Sequence, residues 1–141
     1  MTWISLRGWW FIVALLPLTA IAAQPQAPAR SQAQNYKDMV LTTCIAQAYR
    51  NDAGAAVDAG SSASALRDWT YFDLDDSPAA VKALVDAYLA RDYRNPLVES
   101  EVQGVRFDVL KCLDLYHSKA LEALVERVVL DPSRRFAPES H

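Results

Sequence analysis

Glycine and histidine are scarce in this chain: 141 residues carry four Gly and two His. The glycines, Gly8, Gly54, Gly60 and Gly104, are isolated from one another, so there is no Gly-rich loop to cradle a phosphate. His141 is the last residue, which leaves His117 alone in the part that folds and gives no histidine set for a metal. β-Branched alternation of the strand type is missing, and so is any internal repeat, which removes sheet architectures and solenoids. Basic residues are outnumbered, 14 against 17 acidic, which argues against a nucleic-acid partner. The one long apolar run, residues 9–22, is broken by Pro17 and falls short of the ~20 residues that a membrane span needs.

What is present begins with that run. Arg7, the apolar stretch and the Ala20-Ile21-Ala22 triplet have the layout of a cleavable secretory signal over residues 1–22. Without it, thirteen basic and seventeen acidic residues remain, a formal charge of −4, and no membrane attachment is expected. Trp69 becomes the single tryptophan. Both cysteines, Cys44 and Cys112, lie in the exported part, where an oxidising compartment makes a bridge the default and two buried thiols the alternative. Residues 23–34, rich in Gln, Ala and Pro, read as a flexible tether, and residues 132–141 as a flexible tail.

The fold between them, over residues 35–131, is expected to be all-α: a compact bundle of about five helices. The first should cover residues 36–50, with Val40, Leu41, Cys44, Ile45 and Ala48 on one stripe. Residues 52–61 are ambiguous because alanines favour helix while Gly54 and Gly60 oppose it, so the second helix is drawn only over 62–72. The run Asp75-Asp76-Ser77-Pro78 is a helix start by capping and proline placement, and opens a third helix over 78–93 that Asn95-Pro96 ends. A fourth helix over 105–117 is apolar around most of its circumference and should sit centrally. Ser118 caps the last helix, which ends at Asp131-Pro132. A Cys44–Cys112 bond would then staple the first helix to the fourth.

Chemistry is hard to find. Cys112 and His117 are five apart, about 140° around a helix, and cannot form a dyad. Asp114 and His117 could share a face as a proton relay or half a metal site, which defines a rival reading as a small hydrolase or metal-handling protein, although nothing completes a metal set. The acidic cluster Asp73, Asp75 and Asp76 lacks the Gly and closing Glu of a calcium loop and fits helix capping better. What remains is the polar stretch between the third and fourth helices. Such a stretch is either a plain connector or a binding element held by a rigid scaffold; Leu97 and Val98 beside Glu99 and Glu101 would suit insertion into a partner's groove.

Two segments, residues 35–46 (NYKDMVLTTCIA) and 107–118 (FDVLKCLDLYHS), together with Leu66-Arg67-Asp68-Trp69 and Tyr88-Leu89-Ala90-Arg91-Asp92-Tyr93, resemble the immunity proteins that neutralise type VI secretion peptidoglycan amidases. The resemblance spans roughly residues 35–124. It implies a periplasmic all-helical inhibitor with no catalysis and no cofactor or metal of its own, whose partner is a papain-like cysteine amidase delivered by type VI secretion. It also implies a homodimer, a bridge between the two cysteines, and a loop between the third and fourth helices that enters the enzyme's groove. Here that loop is Asn95 to Gly104, with Asn95, Pro96, Leu97, Val98, Glu99, Ser100 and Glu101 as partner-binding residues, Leu97 and Val98 as anchors and the polar residues reaching towards the amidase Cys-His pair. Tyr36, Lys37 and Met39 on the first helix are candidates for a second interface.

Overall fold

The computed structural model describes residues 23–136, so the expected signal segment lies outside the described residues. Helix α1 (Gln32–Ala48) starts at a reciprocal cap. The Ser31 hydroxyl accepts from the Gln34 N–H at 3.2 Å while the Gln34 side-chain oxygen accepts from the Ser31 N–H at 3.0 Å. This start falls within the stretch read as a tether. Its polar residues are not solvated: Gln32 and Asn35 are fully buried, and Gln32 accepts from the Tyr71 N–H at 3.1 Å while Asn35 donates to the Ala27 carbonyl at 2.9 Å. The beginning of the expected tail is also held, because the Gln32 and Ala33 N–H groups donate to the carbonyls of Arg134 and Pro132.

Helix α2 (Ala53–Arg67) takes up the segment left ambiguous. Asp52 caps it by accepting from the Ala55 N–H at 3.1 Å, and the alanine content outweighs Gly54 and Gly60. It stops five residues before the expected Phe72, because Phe72 leaves the helix to bridge Val129. Helix α3 (Ser77–Leu89) has Pro78 in its first turn as expected. Neither Asp75 nor Asp76 supplies the cap. The Asp73 carboxylate accepts from both their N–H groups, at 2.8 and 3.1 Å, and these bonds hold its pKa below the ordinary value.

A short helix α4 (Pro96–Glu101) follows, then α5 (Asp108–Tyr116) and α6 (Lys119–Val128), the last capped by Ser118. The all-α architecture is as expected, with six α-helices among the described residues because α4 forms inside the stretch read as a loop. The expected fourth helix is therefore α5, and it begins only at Asp108: Phe107 adopts a left-handed backbone, φ 54°, which a helix cannot include.

The centre of the bundle belongs to α1, not α5. Helix α1 packs against α2, α3, α5 and α6, and Tyr36, Val40 and Cys44, four apart in sequence, are completely buried. Helix α5 buries Cys112 and Leu115 but leaves Val109, Leu110 and Leu113 exposed. Cys44 and Cys112 are bonded, with Cα atoms 5.7 Å apart, and tie α1 to α5 as the sequence suggested.

Candidate functional site

The connection between α3 and α5 runs from Ala90 to Phe107 and projects α4 from the bundle. Asn95 and Pro96, read as the stop of the preceding helix, in fact open this one. The Asn95 side-chain oxygen faces the Val98 N–H at 3.4 Å, and the Glu99 carboxylate accepts from the Asn95 N–H at 2.9 Å. Pro96 sits in the first turn, where its missing N–H costs nothing. The Ser100 hydroxyl donates to the Leu97 carbonyl at 2.7 Å. Asn95, Glu99 and Ser100 are thus spent on holding the segment's own shape. Helix α4 buries no side chain, and Leu97, 82% exposed, is the most open large apolar residue of the described chain. Val98 is only 37% exposed, so the two expected anchors differ. The acids differ too: Glu99 faces Arg94 at 3.9 Å, whereas Glu101 has no ion-pair partner among the described residues.

Both stems of this projection are fastened to α5. On the outgoing side, the Tyr93 hydroxyl donates to the Asp114 carboxylate at 2.5 Å, a bond that raises the Tyr93 pKa. The Lys111 ammonium, almost fully buried, donates to the Leu89 carbonyl at 3.3 Å and to the Asp108 carboxylate at 3.0 Å. On the returning side, Arg106 pairs with the other Asp108 oxygen at 3.2 Å. Two positive φ angles, Gly104 at 75° and Phe107 at 54°, turn the chain back into α5. Beside this stem the exposed faces of Val109, Leu110 and Leu113, with Tyr49, border an open depression of about 550 Å³.

The expected second interface is not on the surface. Tyr36 is completely buried and Met39 nearly so, because the start of α1 at Gln32 turns both towards the core. Only Lys37 of the three is accessible, with its ammonium 4.9 Å from the ring centre of Tyr116. The relay imagined for Asp114 and His117 does not form. Asp114 is engaged by Tyr93, and His117 packs edge-on against the Tyr116 ring. Among the described residues no three His, Cys, Asp or Glu side chains gather as a metal site. Lys111 and Tyr93 lie in segments that carry the family resemblance, but their contacts gave no signal in the sequence, since a lysine and a tyrosine on amphipathic segments pass as ordinary surface.

Residues 34–125, from the first turn of α1 to most of α6 and including both cysteines and the whole projection, match the family described as type VI secretion system (T6SS) amidase immunity protein, Tai4. No curated protein matches the chain. Among solved structures, one from work on new type VI-secreted toxins and self-resistance proteins in Serratia marcescens is 26% identical. It superposes with a TM-score of 0.72 over 86% of this chain and 95% of that one. A second, from the Tae4/Tai4 effector–immunity system of Salmonella typhimurium, is 21% identical with a TM-score of 0.65, over 77% of this chain and 99% of that one, and its likeness speaks for the fold. With a family match that spans the bundle and its projection, the chain belongs to the type VI secretion amidase immunity proteins, a family of immunity proteins and not of enzymes.

Proposed function

We propose that this immunity protein neutralises its cognate peptidoglycan amidase by steric occlusion, with the loop Asn95 to Gly104 inserted into the substrate groove. The observation that carries this reading is the exposure of Leu97 on a helix that its own residues cap and shape. An apolar side chain held out on a preformed element anchors a partner with little ordering cost on binding. Glu101 lies on the same short helix with its charge uncompensated, ready to meet donors in the groove. Asn95, Glu99 and Ser100 contribute by maintaining the shape of the insert.

The same reading includes the periplasm as the place of action and pairing of two copies. The disulfide supports an oxidising compartment, and the apolar face of α5 offers surface that a second copy could cover. Sedimentation of the mature chain measures that pairing. The test of occlusion is titration of the amidase, cutting peptidoglycan fragments, with the mature protein and with its Leu97→Ala and Glu101→Ala variants. Leu97→Ala is expected to weaken inhibition about tenfold or more, the range of a buried anchor. Unchanged inhibition by both variants removes the loop from the account.

A further inference from the structure

We infer that Lys111 is a positioning residue for the inhibitory loop, acting as a clamp that joins the two points where the loop leaves and re-enters the bundle. Leu89 is the last residue of α3 and Asp108 the first of α5. Everything between them is the connection over residues 90–107. Lys111 reaches both ends at once, donating to the Leu89 carbonyl at 3.3 Å and to the Asp108 carboxylate at 3.0 Å.

The burial of this lysine needs a reason. Its side chain is 5% exposed and that of Asp108 9%, and taking both charges out of water largely cancels their attraction. A leucine or methionine would pack the position as well. What an apolar residue cannot do is satisfy the free carbonyl at the end of α3 while holding a carboxylate at the start of α5, both placements that the helix dipoles favour. The pair therefore contributes geometry more than stability.

That geometry matters because α4 has no core of its own. None of its side chains is buried, so its direction is inherited from its stems. The outgoing stem is held by Lys111 at Leu89 and by Tyr93 at Asp114, and the returning stem by Arg106 on the Asp108 carboxylate that Lys111 already holds. Three contacts converge on one face of α5, the helix that the disulfide fixes to α1. With the clamp released, the loop keeps its sequence and its caps but loses a defined approach to a groove.

This inference rests on the occlusion reading, and its test separates the two. Amide hydrogen exchange of the oxidised mature protein is compared between wild type, Lys111→Met, Tyr93→Phe and Asp108→Asn, alongside amidase titration of each. Lys111→Met is expected to speed exchange over residues 90–107 about tenfold or more, with α1 and α6 little changed, and to weaken inhibition by a similar factor. Tyr93→Phe, which removes one surface hydroxyl, is expected to act in the same direction over the same residues, and Asp108→Asn, which keeps the side-chain shape but removes the charge that Lys111 and Arg106 share, decides the matter by the same readouts should Lys111→Met not fold. Exchange that is unchanged, or raised evenly through every helix, overturns the clamp. Local exchange that accelerates while inhibition stays intact overturns the link to function, and the Leu97→Ala titration then shows whether the occlusion reading falls with it.

Discussion

The hydroxyl of Tyr36 on α1 lies 2.6 Å from that of Ser77 in the first turn of α3, and both residues are essentially without solvent contact. This bond joins positions 41 residues apart in the chain. Burial raises the pKa of the Tyr36 phenol, while the Ser77 hydroxyl and the field of Arg127 pull the other way. Tyr36→Phe should cost about 1–2 kcal/mol, because the Ser77 hydroxyl stays buried with its partner gone. Adding Ser77→Ala should return part of that loss. Urea unfolding of the two single variants and the double variant measures the coupling, and strict additivity would show that the hydroxyls do not interact.

The Cys44–Cys112 bond closes a separation of 68 residues between the helix that packs against four others and the one that anchors the loop. In the chain-entropy account such a closure is worth about 4 kcal/mol. Replacing both cysteines by alanine, or adding a reductant, should lower the urea midpoint by a corresponding amount. A midpoint that does not move would place the stability of the bundle elsewhere.

Asp73 gives a pH dependence with a definite sign. Its folded pKa lies below its ordinary value, first through the Asp76 N–H and then the Asp75 N–H. A depressed carboxylate contributes stability above its unfolded pKa and loses it as the pH falls through the folded one. Stability should therefore decline below about pH 4, and Asp73→Asn, which cannot take up that charge, should flatten the decline. Thermal melts across the acid range compare the two slopes.

The two loop glutamates should separate by role. Glu99→Gln keeps an oxygen for the Asn95 N–H and should inhibit the amidase within about twofold of wild type, whereas Glu99→Ala removes that bond and should weaken the insert by about 1 kcal/mol. Glu101→Ala leaves α4 intact and acts only on the complex. Circular dichroism of the free proteins together with the titration distinguishes a lost shape from a lost contact.

The parts of the fold that were legible are those where burial follows apolar side chains. Val81, Val85 and Tyr88 marked α3 to within a few residues of its start, and the stripe through Val40 and Cys44 marked the face of α1. The N-terminal turn of α1 was not legible because Gln32 and Asn35 are buried by hydrogen bonding, which hydropathy cannot register. Helix α4 was hidden because an Asn-Pro pair can mark the stop of one helix or the start of another; here α3 has already ended at Leu89, short of the expected residue 93, and Asn95-Pro96 only starts α4. The exposed side of α5 was read as core because Val109, Leu110 and Leu113 are apolar whichever way they face. Of the site, the loop's place in the chain was readable; the division of labour between Leu97 and Glu99 and the buried reach of Lys111 were properties of contacts.

Ser31 and Arg135 bridge each other, so the start of α1 and the segment after α6 lie side by side. Such proximity permits another chain order: a linker that joins the segment after α6 to the one before the buried Ala27, with a new opening at the exposed turn around Asn51, would preserve all six helices and the disulfide. A circular permutant of this design should fold oxidised and still silence the amidase, and it would let a reporter be fused at the far end of α1, away from the joined ends.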